Sequence, residues 1–261
     1  MKTTTKLDHV AVAVERWADA WPWYAAELGG RWVFGNFTVG FAAHTLRYAN
    51  GTKLELLRPN AVERDDFLRR FLDRHGVGPH HLTFKVDDLL ATLAHAESMG
   101  YRPVNVRVDN PLWKEAFLHP SDAPGIVVQI AEEFLEASTQ PPPGFPVPAH
   151  GEPARFDLVT HGVRDLDGAL HLFAGLLGGE ETGRGDSEDG QWVELGWNGV
   201  ERLRLLRVRQ GTVADEWVGA RPGRLLHLTF SCPWLASSTT VDAEVAFGVP
   251  LVLQPASSHG R

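Results

Sequence analysis

Among 261 residues there is one cysteine, Cys232. It cannot close an internal disulfide, so the sequence predicts a reducing, cytoplasmic setting. A basic excess is also missing: 25 Lys and Arg stand against 33 Asp and Glu, a formal charge of -8. A general nucleic-acid binder needs a basic face, and that class is set aside. No apolar run approaches the roughly 20 residues of a membrane helix. The opening Met-Lys-Thr-Thr-Thr-Lys leads straight into a strand pattern, without the apolar core of a signal peptide. Low complexity is absent too; with 43% apolar residues the chain can bury a core, and its length suits two domains. The partner these absences leave is a small molecule, neither nucleic acid nor membrane, with a monomer or homodimer expected.

What is present is a repeat. Leu7-Asp8-His9-Val10-Ala11-Val12-Ala13-Val14 alternates as a strand, with His9, Ala11 and Ala13 on one face. Seventy-two residues later His81-Leu82-Thr83-Phe84-Lys85-Val86 does the same, with His81, Thr83 and Lys85 sharing a face. After the first strand, residues 15–28 read as a helix with a blemish at Pro22, stopped by Gly29-Gly30. Three extended stretches follow, at 31–34, 41–48 and 52–57, the last two joined by the hairpin turn Asn50-Gly51. A short helix is expected over 62–74. The β-α-β-β-β unit then recurs over 80–131, with its helix at 88–99.

Residues 136–153 hold Pro141-Pro142-Pro143, Pro146 and Pro148 and read as a stiff linker. The domains expected are 6–135 and 154–261. The second starts the pattern again: a strand from Arg155, a helix over 165–177, then strands at 191–197 and 201–207. Between helix and strand, 180–190 reads as an acidic, Gly-rich loop; its Arg184-Gly185-Asp186 is a solvated tripeptide rather than an adhesion signal. A fourth unit begins at Leu225, with a helix expected near 239–247 and a second strand at 251–253; its last hairpin is missing. The fold class expected is α+β: tandem βαβββ modules forming curved half-barrel sheets around a cleft, with a degenerate, truncated second domain.

The repeat also matches the last strands. Glu55 follows His9 by 46 residues, and Gln129 follows His81 by 48. Each is the polar residue of an otherwise aliphatic strand. Two imidazoles, a carboxylate and a carboxamide oxygen suit a divalent ion, Zn, Ni, Co, Mn or Fe. One ligand charge leaves a Lewis-acidic centre able to stabilise an enolate beside a carbonyl. Any one of these residues taken alone reads as a hydrogen-bonded structural group; their shared place in a repeat is what singles them out.

The chain resembles the vicinal oxygen chelate (glyoxalase, bleomycin resistance, dioxygenase) superfamily. The resemblance rests on Leu7–Val14, on Thr52-Lys-Leu-Glu-Leu-Leu-Arg-Pro59, on the run from Phe71 to Asp88 and on Phe117-Leu-His-Pro120, which are closest to methylmalonyl-CoA epimerases. It covers residues 6–131 closely and implies a glyoxalase-like fold with metal positions at His9, Glu55, His81 and Gln129. Epimerases tend to have Gln where Glu55 stands and Glu where Gln129 stands. The ligand charge survives that exchange, but a carboxylate on the last strand does not. For the acid or base next to a carbonyl, the candidates are His44, near where related epimerases place a base, and Glu115. His80 is expected to point away, His119 to be structural, and Trp113 to line either pocket or core.

In the second half Leu158 takes the place of His9, Arg204 that of Glu55, and His227 that of His81, while the strand for a fourth ligand is expected to be absent. That half reads as a structural partner or lid, and His161 lies one face off. The function expected is a metal-dependent isomerase or lyase that chelates substrate oxygens, on an acyl-CoA or other small carbonyl compound. The alternatives are an Fe(II) extradiol-type dioxygenase and a non-catalytic binding or resistance protein.

Overall fold

The computed structural model describes residues 4–134 and 139–256. The first module is β1 (Thr5–Ala13), α1 (Trp17–Trp21), β2 (Arg31–Phe37), β3 (Gly40–Arg47) and β4 (Lys53–Asn60). After α2 (Phe67–His75) the second follows as β5 (Gly78–Val86), α3 (Leu89–Ser98), β6 (Val104–Arg107), β7 (Trp113–Leu118) and β8 (Val127–Glu133). The third is β9 (Arg155–Val163), α4 (Leu166–Leu170), β10 (Glu180–Ser187), β11 (Gly190–Gly196) and β12 (Arg202–Val208). After α5 (Val213–Val218) the fourth has β13 (Gly223–Cys232), β14 (Thr239–Val241) and β15 (Leu251–Pro255). The eight strands of the first two modules form one sheet, in the order β2-β3-β4-β1-β5-β8-β7-β6. The other seven form a second, in the order β10-β11-β12-β9-β13-β15-β14. This is the tandem βαβββ architecture that the repeat predicts.

Three elements differ from expectation. Residues 180–190 are no loop: Glu180–Ser187 pairs antiparallel with β11 along its length. Its glycines serve packing, since a Cβ on Gly185 would meet the Trp192 ring at 2.7 Å. The helix expected near 239–247 is instead the short β14 followed by turns. And 251–253 is the last strand of its module, since β15 runs parallel to β13 as β8 runs parallel to β5. What the fourth module omits, by that correspondence, is a helix and an edge strand.

Pro22 does not break its helix. From Pro22 to Glu27 the helix widens into a π turn, closed by Leu28 N–H donating to Trp23 O at 2.9 Å. The same turn recurs over His171–Leu176, where there is no proline, with Leu177 N–H donating to Leu172 O at 3.0 Å. The π turn is therefore not the work of the proline; the first and third modules share it, whereas α3 of the second is a regular α-helix. Gly29 and Gly178, at φ +70 and +68, follow it. Asp88 and Asp165 cap the helices after their strands by accepting from Ala91 and Gly168 backbone N–H groups.

By contacts the described residues fall into two compact units, and each draws on both sheets. One comprises residues 9–80, 139–157 and 227–256. Its centre is aromatic: Phe156 stacks on Phe230 at 4.7 Å, and Tyr48 stands edge-on to Phe230 at 5.0 Å. The Tyr24 hydroxyl donates to Ala246 O and the Tyr48 hydroxyl to Tyr24 O, so both buried phenols are satisfied. The proline-rich stretch belongs here. Residues 139–153 carry no helix or strand, yet Thr139 and Ala149 bond backbone to Val33 and Ala26, and Phe145 packs on Trp21 and Trp32. Residues 136–138 of the expected linker, like 1–3 and 257–261, lie outside the described residues.

The other unit comprises residues 4–8, 81–134 and 158–226. Phe84 packs against Phe173 and Trp197 there, and the Trp197 indole donates to Leu177 O at 2.7 Å. Buried His161 bonds through Nε2 to Pro124 O at 2.5 Å, which gives it a structural role. Among the described residues no helix is long and apolar enough to cross a membrane.

Candidate metal centre

The site is built on strand alternation. In β1, Ala11 and Ala13 pack with Leu57, Leu68 and Leu72, and strand alternation puts His9 on their side and Val10 and Val12 on the other. The parallel register of β1 and β4 sets Ala11 beside Glu55, so the Glu55 carboxylate shares the His9 face. In β5 the same alternation puts His81 and Thr83 together, and the register with β8 sets Thr83 beside Gln129. His9, His81 and Gln129 are buried and Glu55 is nearly so.

His9, Glu55 and His81 each offer one ligand atom, and those atoms all lie within 4.8 Å of one another. His9 Nε2 is 3.6 Å from Glu55 Oε2. Two donors about 2.1 Å from a common ion are themselves about 3 to 4 Å apart, so this set needs little closing to grip one. Two imidazole nitrogens and one carboxylate oxygen fit a divalent transition ion and favour no single one.

Gln129 shares the face but is engaged elsewhere. Its Oε1 accepts from the Thr83 hydroxyl at 2.6 Å, and its Nε2 donates to Glu115 Oε2 at 2.7 Å. Glu115 also accepts from the Trp113 indole at 2.9 Å and faces Arg107 Nη1 at 3.4 Å. Thr83, Gln129, Glu115 and Trp113 thus form one polar chain across β5, β8 and β7, and Trp113 holds Glu115 rather than filling the core.

His44 is not brought to the donors. It pairs with Leu56, the neighbour of Glu55, and so stands on the opposite face. There it is boxed by Trp17, Trp21, Trp32 and Phe145, with the Trp21 indole donating to its Nδ1 at 3.0 Å. Its Nε2 has no hydrogen-bond partner among the described residues, and burial pulls its pKa down to about 3. A neutral imidazole walled by four aromatic rings has no route to a substrate on the other side of the sheet. In the sequence, His44 and Thr45 differ only in parity, and the β3–β4 register decides which of them shares the Glu55 face.

His80 packs on Phe71 at 4.8 Å, and burial lowers its pKa to about 4. His119 bonds through Nδ1 to Ser121, a turn contact. Nothing in the sequence marks Lys85 as a largely buried cation. It lies 3.2 Å from Asp8 and in contact with Glu133; burial pulls its pKa down, but those two carboxylates outweigh burial and raise it.

The second sheet repeats the register without the donors. Arg204 sits beside Thr160 as Glu55 sits beside Ala11, which makes Leu158 the counterpart of His9. Val252 sits beside Thr229 as Gln129 sits beside Thr83. The strand for a fourth ligand, expected to be missing, is therefore present as β15, and it carries a valine where the first sheet carries Gln129.

Residues 8–117 match the family model described as the Glyoxalase/Bleomycin resistance protein/Dioxygenase superfamily. That match covers less than half of the chain. No curated protein matches the chain. Among solved structures, methylmalonyl-CoA epimerase from Mycobacterium tuberculosis is 28% identical over 50% of this chain and 89% of its own, with a TM-score of 0.45. A hypothetical protein from Bacillus halodurans C-125 is 25% identical over 52% of this chain and 99% of its own, with a TM-score of 0.46. Neither extends past about half of the chain. A mutant of 4-hydroxymandelate synthase from Streptomyces coelicolor covers 88% of this chain and 71% of its own at a TM-score of 0.63 and 14% identity. That last likeness concerns the fold alone.

Proposed function

We propose that the chain is a divalent-metal-dependent enzyme that binds substrate oxygens at His9, Glu55 and His81 and moves a proton next to a carbonyl. The observation that carries this reading is the convergence of those three donors from three strands. An ion bound there would polarise a carbonyl oxygen and so acidify the neighbouring C–H. Glu115 is the base in this reading: it is a carboxylate oriented by Trp113 and Gln129 and lies on the donors' side of the sheet. Gln129 either completes the ligand set through Oε1, releasing Thr83, or stays as the strut between Thr83 and Glu115. Residues 6–135 would then be the working domain, 154–261 its supporting partner, and a reducing cytoplasm its setting. An acyl thioester is the substrate type to try first, given the epimerases among the similar structures.

The donor set also favours a second reading. Two histidines and one carboxylate with open positions form the facial triad of non-haem Fe(II) oxygenases. One experiment separates the two. Full-length protein purified without added ions is analysed for metal, then incubated with methylmalonyl thioester in deuterated water, or with Fe(II), oxygen and catechols. Metal-dependent deuterium entry at the acidic carbon supports proton transfer, and Glu115→Gln then slows entry by about 100-fold or more. Oxygen uptake without deuterium entry replaces this reading by the oxygenase. Protein that retains no divalent ion under any condition refutes both.

A further inference from the structure

Three strands beside β1 carry basic residues in one lateral row. Lys53 of β4 is the register partner of His9, Arg47 of β3 is the partner of Lys53, and Arg31 of β2 is the partner of Arg47. Register partners in a sheet point to the same face, so this row shares the face of His9 and Glu55. The side chains range from the buried Lys53 to the exposed Arg31. The row therefore leads from the donors outward. Neighbouring strands lie about 4.8 Å apart, so the row spans about 5 to 15 Å from His9.

The second sheet has the same three positions and does not repeat the charges. There Arg202 partners Gly196, and Gly196 partners Glu180. A basic row is thus no requirement of the fold; it accompanies the sheet that carries the metal donors.

We propose that the substrate carries an anionic group, a carboxylate or a phosphate, separate from its metal-chelating oxygens, and that the Arg31–Arg47–Lys53 row receives it. The proposal rests on the metal site read above and narrows its substrates to anions. Guanidinium groups bind either anion through two parallel N–H donors, and a group reaching Arg47 stays within one substrate length of the donors.

Titration calorimetry on full-length protein tests it, with inorganic pyrophosphate, malonate and neutral malonamide as probes. Each titration is run before and after chelator treatment, so that capture by the row is read apart from capture by an ion. Pyrophosphate or malonate binds, malonamide does not, and binding weakens as salt is raised. Tighter pyrophosphate binding assigns the row to a phosphate, tighter malonate binding to a carboxylate. Arg47→Gln weakens the preferred anion by about tenfold, the loss of one charge-assisted hydrogen bond. Arg31→Gln, at an exposed position where folding is not at stake, weakens it by about threefold at an exposed ion pair, and Arg202→Gln leaves it unchanged. Wild-type affinity in both Arg47→Gln and Arg31→Gln, or equal binding of malonate and malonamide, overturns the proposal. Metal content is measured on the same samples. Absence of metal in the wild type defeats the enzyme reading while the anion result still stands or falls by itself.

Discussion

The two sheets share a register and differ in chemistry. Position by position the first has His9, Glu55, His81 and Gln129 where the second has Leu158, Arg204, His227 and Val252. The difference is greatest on that face. On the other face both sheets bury apolar side chains, Val10, Val12, Leu54, Leu56 and Phe84 in the first and Val159, Leu203, Leu205, Leu228 and Phe230 in the second, together with the buried His44 and His161. The lesson is that the packing face maintains the fold, and the opposite face is free to keep or lose a site. Arg204 illustrates the drift. In place of a ligand carboxylate it forms an ion pair with Glu194 at 2.8 Å and lies 4.4 Å over the Trp192 ring.

The largest effect that this contrast predicts is on metal. His9→Ala and His81→Ala should each abolish retention of a divalent ion through purification, read by elemental analysis, while His227→Ala retains it. If His227→Ala loses the ion as well, the asymmetry between the sheets is broken. Next comes stability. Phe84→Ala, which empties a buried site against Phe173 and Trp197, should cost about 3 to 5 kcal/mol in denaturant unfolding and leave the metal donors in place.

A smaller effect concerns acid. Burial lowers the pKa of His44 to about 3 and that of His161 to about 4, although the hydrogen bond of the latter to Pro124 O raises it in part. Between those values and the ordinary histidine range the unfolded chain binds protons that the folded chain refuses. Stability should therefore fall as pH drops from about 6.5 towards 4, and stay flat with respect to these groups above it. His44→Phe should flatten that slope and leave metal content unchanged; loss of metal would return His44 to the site. Least of all, Arg184→Ala on the exposed edge strand β10 removes a solvated ion pair with Glu181, and the denaturant midpoint of unfolding should not measurably move.

Much of this was legible along the chain. The alternation of Leu7–Val14 and of His81–Val86 marks two strands, and the spacings of 46 and 48 residues bring Glu55 and Gln129 to the right partners. Such periodicity is local, and it survives because each strand must bury one face. Expectation and structure part where local signals are ambiguous. Glycines such as those of Glu180–Ser187 are common in loops, whereas here Gly185 makes room for the Trp192 ring. The end of the fourth module differs because a missing helix and edge strand leave no trace in the pattern of what remains.

Alone, the sequence determined the modules, their number and the parity of His9, Glu55, His81 and Gln129, since alternation fixes which side of a strand a residue occupies. Only the tertiary structure decided that three of those side chains come within 4.8 Å, that Gln129 is bound to Thr83 and Glu115, and that His44 lies boxed in indole rings behind the sheet. The physical reason is that hydrogen-bonded register between strands far apart in the chain sets these distances. Register depends on bulges and on neighbours that no single stretch of sequence contains.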